Sequence, residues 1–386
     1  MGFTKYIVPA LAIASLAFAD KSCEGDITIE NQQDASKLSS CSTWDGDITI
    51  SNVVNSAISL DGVQKITGSL SSKNSSITEF SASKLTSIGD SFTINTCTAL
   101  RSLQFDSLTA VKFINFEALP KLQALGFTKG VSKAERVRVT NTDLTSLDGI
   151  NLESVTDMEV TNNPHLMMVN VNQITNATGY INFAANNKDL KISFPNLQGA
   201  HNMTFRNASS VSIPSLETMD GLLGFYSNFF EDIFAPNLTK TGDLVLADNS
   251  ALSNFSFPVL KTVKGAFQVA NNTNLKAIDG TPKLETISGA LDLSGKFDTV
   301  KLPALKEVRG DTNVQSTESF GCEPFDKLKS DDVVRGKLTC REKQDKPKTG
   351  DESDSGSSTS SGAADPFAQA PAGFLLGLLG ALQFLL

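Results

Sequence analysis

Leu260-Lys261-Thr262-Val263-Lys264-Gly265-Ala266-Phe267-Gln268-Val269-Ala270-Asn271-Asn272-Thr273-Asn274-Leu275 is the stretch that decides the fold. With Leu260 as step zero, apolar residues stand at steps three, seven and nine, a glycine at step five, and an asparagine pair at steps eleven and twelve. The alternation at seven and nine is that of a short strand with one inward face. The glycine is expected to let the chain bend sharply into that strand. Paired asparagines suit the turn after it, because Asn tolerates left-handed backbone and bonds neighbouring main chain. Pro258, two residues before step zero, rules out helix there.

The unit recurs. Pro-x-Leu triplets end at Leu197, Leu216, Leu238, Leu260, Leu284 and Leu305, roughly 19 to 24 residues apart, which is a solenoid spacing. From Leu284 the same steps give Ile287, Gly289, Leu291 and Leu293; from Ile174 they give Ala177, Gly179, Ile181 and Phe183, then Asn186-Asn187. The register extends back without the proline. Cys41 leads to Trp44, Gly46, Ile48 and Ile50, Val63 to Ile66, Gly68 and Leu70, and Leu85 to Ile88, Phe92 and Ile94. Leu108, Val131, Leu152, Leu197 and Leu238 fit with one residue fewer before the strand. About fourteen turns of ~22 residues result, each too small to bury a core alone, so they must stack on one another. The expected fold is an all-β-rich solenoid, a right-handed parallel β-helix, in preference to a sandwich of unrelated short strands. Its exposed end edges need covers. Residues 20–41 and 320–340 are the expected caps, with short helices at Asp34 to Ser40 and Glu323 to Lys329.

The ends of the chain speak of the secretory pathway. Residues 1–19 carry Lys5, an apolar run from Ile7 to Phe18, and Ala17-Phe18-Ala19 before Asp20, the layout of a cleaved signal peptide. Phe374 to Leu386 is an apolar tail with no basic flank, shorter than a bilayer span requires. Upstream lie the small residues Ser360-Ser361-Gly362-Ala363-Ala364 and a spacer through Pro371. This arrangement predicts a GPI attachment signal, with Gly362 (alternatively Ser361) as the attachment residue and 363–386 removed; a short transmembrane anchor is the alternative. Residues 341–362, poor in apolar side chains, read as a flexible stalk between the 20–340 ectodomain and the anchor.

The formal net charge of -9 argues against nucleic acid as a partner. Sequons at Asn74, Asn176, Asn202, Asn207, Asn237, Asn254 and Asn271, behind a signal peptide, predict N-glycosylation. Of the five cysteines, Cys23 and Cys41 lie near the start and Cys322 and Cys340 near the end, so in an oxidising compartment each end pair is expected to form a disulfide. Cys97 is left as a buried thiol or an intermolecular link.

The pattern of Leu260 to Leu275 resembles the receptor L-domain repeat, itself leucine-rich-repeat-like. With the signal peptide, sequons, Ser-rich stalk and GPI signal added, the whole chain resembles the fungal GPI-anchored cell-wall organisation family called "extracellular mutant thirty-three", akin to sporulation-specific wall proteins. The resemblance implies a role in cell-wall organisation and integrity, residence at the outer leaflet of the plasma membrane and in the wall, attachment to the membrane through GPI lipid, and no catalytic residues.

Read for chemistry, the residues point the same way. The two histidines, His165 and His201, fall in turns and lack the fixed partners of a catalytic relay or a zinc site. No glycine loop or cysteine cluster calls for a cofactor or metal. The enzymatic alternative is a wall-glycan-modifying β-helix with acid groups on the outer face of the sheet. Outward positions on successive turns include Arg136 and Arg138, Asp157 and Glu159, Tyr180 and Asn182, Arg206, and Tyr226. Asp157 and Glu159 are expected beside the two arginines as an ion-pair ladder. Tyr180, Arg206 and Tyr226 are the candidate surface contacts for wall glycan or wall proteins. Within Phe225-Tyr226-Ser227-Asn228-Phe229-Phe230, Phe225 is expected in the core and Tyr226 and Phe229 outside it.

Overall fold

In the computed structural model, which describes residues 23–350, Phe267 and Val269 lie in the strand Phe267–Ala270 with both side chains in the core. That strand is hydrogen-bonded in parallel register to Leu244–Ala247 of the preceding coil and to Leu291–Gly295 of the next. The same relation runs from Ile27–Ile29 to Leu338–Arg341, and these strands together with short ones preceding them form a single 23-stranded sheet. Shorter parallel ladders make a second wall, as in Ala57–Ser59, Glu79–Ser81 and Ser102–Gln104. The chain is therefore the parallel β-solenoid that the repeat predicts. The signal peptide, the anchor residues Gly362 and Ser361, and residues 363–386 lie outside the described residues.

One core fills the coil interiors. Leu260, Val263, Phe267, Val269, Leu275 and Ile278 of the founding repeat are all buried in it. Step-nine phenylalanines of adjacent coils stack, Phe183 on Phe205 at 6.1 Å and Phe205 on Phe225 at 5.5 Å between ring centroids. Such repeated side chains make each coil the template for the next.

The asparagine pair divides its work. The first member takes left-handed backbone, as at Asn162 and Asn271, and the second turns inward. Asn228, Asn249 and Asn272 form one buried ladder and Asn163 and Asn186 another. In each, a side-chain oxygen accepts the backbone N–H of the preceding coil's asparagine at 2.9–3.1 Å. Buried main-chain groups at the corner, where strand pairing ends, thus keep partners. Cys97 holds the equivalent inward place after left-handed Thr96, with its sulfur 3.3 Å from Ser72 Oγ and its thiol pKa pushed up by burial.

The step-five glycine has a different reason from the one expected. Gly289 and Gly310 do not need left-handed backbone; a Cβ on either would lie 2.6 Å from the main chain of the glycine one coil earlier. Close stacking of the coils, rather than a sharp bend, excludes a side chain there.

Both ends of the described solenoid carry a disulfide and a short helix. The bonds Cys23–Cys41 and Cys322–Cys340 form as expected. The first cap helix spans Gln32–Ser36, earlier than the Asp34 to Ser40 expected, because Asn31 accepts the N–H of Asp34 at 3.1 Å and starts it there. Gln32 then exchanges two hydrogen bonds with the main chain of Ser59, so a side-chain amide covers the edge of the strand Ala57–Ser59. The second helix spans Glu323–Ser330. Beyond it the chain runs back over the outer face of the long sheet. Lys348 N–H donates to Gln315 Oε1 at 3.2 Å, Asn313 Nδ2 donates to Lys348 O at 2.9 Å, and Gly350 N–H donates to Asp292 Oδ2 at 3.3 Å.

Candidate functional site

Outward side chains of the long sheet line up because its main strands pair residue for residue, the register shifting only at their entries near Lys112 and Gly179. One row runs Thr28, Thr49, Ser71, Thr93, Asn115, Arg138, Glu159, Asn182, Thr204, Gly224, Val245, Gln268, Asp292 and Asn313. Its character changes along the rod, from hydroxyls through charges to an apolar patch and finally to amides. Of the surface residues expected from the sequence, Arg138, Glu159 and Asn182 stand in the middle of this row, while Arg136, Asp157, Tyr180, Arg206 and Tyr226 lie two residues to either side of it.

Arg138 reaches Glu159 at 3.4 Å, one rung of the expected ladder, and also Glu117 at 3.7 Å, which the sequence reading did not name; Arg136 and Asp157, the other expected rung, are register partners only. The guanidinium of Arg136 lies 4.5 Å from the ring centroid of its neighbour Phe113. Asp157 does something the sequence reading missed. Its Oδ1 accepts the N–H of Tyr180 at 3.1 Å, at the corner where the next coil enters its strand. Asp47, Asn202, Asp243 and Asp311 make the same bond, to Ser69, Leu222, Ala266 and Lys337 at 2.6–2.8 Å. The signal was present in the sequence as Asp or Asn at step six, which falls at step five in the coils that have one residue fewer before the strand. The two carboxylates considered for acid–base work are therefore committed, Asp157 to a coil junction and Glu159 to Arg138.

The three candidate contacts are not equivalent. Tyr180 is exposed, and burial of its ring edge with the nearby Glu159 and Asp157 raises its pKa. Arg206 is partly buried and stacks its guanidinium 4.1 Å from the ring centroid of Tyr226. Tyr226 is only 7 % exposed, which corrects the expectation that it stands out. Its ring lies over Gly224, whose missing side chain leaves the space, and it joins Val245, Ala247 and Ala270 in a small apolar cluster. Phe225 is in the core and Phe229 is exposed, as expected. Past this cluster, Gln268 and Asn313 donate to the two oxygens of Asp292 at 2.9 and 2.7 Å.

His165 pairs with Asp143 on the surface, and among the described residues no group of His, Cys, Asp and Glu is placed to hold a metal ion. Of the sequons, Asn74, Asn207 and Asn271 occupy left-handed corners, Asn237 lies in a Pro-x-Leu turn, and Asn254 stands on the second wall. Asn176 begins the strand Asn176–Ala184, and Asn202 is one of the junction residues.

Comparison with known proteins agrees with this construction. A family described as "GPI-anchored cell wall organization protein" (Ecm33) matches residues 1–39. A "Cell surface GPI-anchored protein" of Arthroderma benhamiae is 66% identical over the full length of both chains. "Protein ecm33" of Aspergillus fumigatus is 45% identical across 94% of this chain and 92% of its own. "Sporulation-specific protein 2" of Saccharomyces cerevisiae is 31% identical across 83% of this chain and 65% of its own. A stacked, disulfide-capped solenoid with this kinship belongs to the Ecm33 family of GPI-anchored cell-wall organisation proteins.

Proposed function

We propose that this chain is a GPI-anchored, N-glycosylated surface protein that organises the cell wall as a non-catalytic scaffold. The lipid is carried on Gly362 or, failing that, Ser361. The relatives named for the cell surface and wall support the location. The observation that carries the non-catalytic reading is the commitment of Asp157 and Glu159: a general acid and base need free carboxyls flanking a substrate, and these two hold a backbone N–H and an arginine. Wall glycan or wall proteins are the partners, met on the outer face of the long sheet through Arg206, whose guanidinium lies 4.1 Å from the Tyr226 ring centroid and offers its N–H groups to hydroxyls or carbonyls.

The test replaces the resident gene with variants and measures growth under wall stress, with surface level as the folding control. Asp157→Asn with Glu159→Gln keeps the junction acceptor, as Asn202 shows it can, and is expected to leave wall resistance intact. Arg206→Ala is expected to lower it. Loss of resistance in the first variant at normal surface level would overturn the scaffold reading in favour of an enzyme.

A further inference from the structure

Among the described residues the exposed aromatic side chains are Tyr180, Phe229 and Phe234, at 40, 47 and 45 % exposure. Single exposed hydrophobic residues are ordinary and would carry no argument by themselves. Their neighbours do. Tyr180 is the register partner of Asn202, a sequon asparagine. Phe234 is the register partner of Ser256, the hydroxyl residue of the Asn254 sequon. Phe229 donates its N–H to the carbonyl of Ala208, the middle residue of the Asn207 sequon, at 2.9 Å. Each exposed aromatic thus sits one coil away from a sequon: Tyr180 directly beside Asn202, at the strand spacing of about 4.8 Å, Phe234 diagonally two residues along from the partner of Asn254, and Phe229 beside the residue after Asn207. Asn176, by contrast, has Ser154 and Gly199 as its partners.

Phe234 also lines a groove. Strands Ser210–Ser212 and Asp232–Phe234 follow one another on the second wall but belong to different ladders, and the gap between them is lined by Ser209, Ser212, Pro214, Phe230 and Phe234. It offers apolar walls and serine hydroxyls together, which is the mixture a pyranose presents: one face of C–H groups and a rim of hydroxyls.

We propose that Tyr180, Phe229 and Phe234 are platforms for this chain's own N-glycans, each receiving the C–H face of the first N-acetylglucosamine on Asn202, Asn207 and Asn254 respectively. The sugar shields an aromatic face that would otherwise meet water, and the ring fixes the direction in which the glycan leaves the rod. The inference rests on the glycosylation part of the function proposed above and is independent of its scaffold part.

The test uses the full-length protein from a fungal host that adds oligomannose glycans, digested natively with endoglycosidase H and followed site by site by mass spectrometry. Asn202, Asn207 and Asn254 are expected to be trimmed about tenfold more slowly than Asn176 and Asn271, the factor that corresponds to a modest packing contact. Phe234→Ala is expected to bring Asn254 up to the Asn176 rate and leave Asn207 slow; Phe229→Ala is expected to do the reverse, and Tyr180→Ala to release Asn202. All three side chains are exposed, and equal melting temperatures of parent and variants after complete deglycosylation confirm that the fold is unchanged. Bare asparagines at these three sites would overturn the proposal, as would trimming rates that the substitutions leave alone. A defect under wall stress is a separate readout and moves neither result.

Discussion

Asn249→Ala tests the claim that the inward asparagines hold the coils together. The side chain is fully buried and makes four hydrogen bonds. It accepts from Asn228 N–H at 3.0 Å and Asn228 Nδ2 at 2.9 Å, and donates to Phe225 O at 3.0 Å and Asn272 Oδ1 at 3.1 Å. Alanine removes all four. Asn228 Nδ2 keeps Phe205 O and Asn272 Oδ1 keeps the Asn249 N–H, but the Asn228 N–H loses its acceptor inside the core. One orphaned buried donor costs about 1–3 kcal/mol and each lost but replaceable bond about 0.5–1.5, so the expected destabilisation is about 4 kcal/mol. Because a solenoid can open coil by coil, a single unfolding midpoint is a poor measure, and native-state hydrogen exchange of the Asn228 amide is the better one. Protection there is expected to collapse, while exposed Asn274→Ala changes nothing measurable. A loss below about 1 kcal/mol with the Asn228 amide still protected would refute the ladder as a stabilising device.

Two further outcomes follow from the stacking and the cap. Gly289→Ala places a methyl 2.6 Å from the backbone of Gly265 and is expected to destabilise these coils by about 1–3 kcal/mol or more, read by native-state hydrogen exchange of the residue 289 and Gly310 amides, despite being a change to a better-propensity residue; a neutral result would show that the coils can move apart. At the C-terminal cap, Glu342 accepts the N–H of Gly321 and, at 2.7 Å, that of Phe320, and these bonds hold its pKa below the ordinary 4.5. A depressed folded pKa means the contribution is complete above the unfolded value and is lost as pH falls through the folded one. Exchange protection of the Phe320 and Gly321 amides, corrected for intrinsic rate, is therefore expected to drop in acid below pH 4.5 and to be low at every pH in Glu342→Gln.

What could be read from the sequence was whatever repeats along the chain. Inward positions such as Phe183, Phe267 and Leu293 show themselves because a period of about two within a period of about 22 leaves few registers to choose from. The asparagine pair was legible for the same reason, down to the left-handed first member. The step-five glycine was legible in place but not in cause, since a residue required by a neighbour 21 to 24 positions away looks identical to one required by its own φ. Asp157 failed in the opposite direction. An outward acid on a sheet suggests chemistry, and only the coil geometry reveals that its oxygen meets the N–H of Tyr180. Tyr226 was misplaced because exposure on a sheet depends on three adjacent strands at once: Gly224 beneath the ring and Arg206 and Ala247 beside it give the phenol a bed that no local pattern specifies.

A solenoid whose interior repeats has little freedom to vary inside, so specificity must reside in the outward row and at the corners. Here the corners are largely occupied: step six by aspartates or asparagines that cap the next coil, step eleven by left-handed residues that include the sequons Asn74, Asn207 and Asn271, each one step earlier in the coils that have one residue fewer. Glycans at those corners would project from the edges of the long sheet and leave its face open. The open face then presents charge at Glu117, Arg138 and Glu159, a stacked guanidinium at Arg206, and toward the C-terminal end the returning chain at Lys348 and Gly350. Glu117, Arg138 and Glu159 follow one another coil by coil, Arg206 stands two coils further on and the returning chain beyond it, so the outward chemistry is spread along many coils rather than gathered in one pocket.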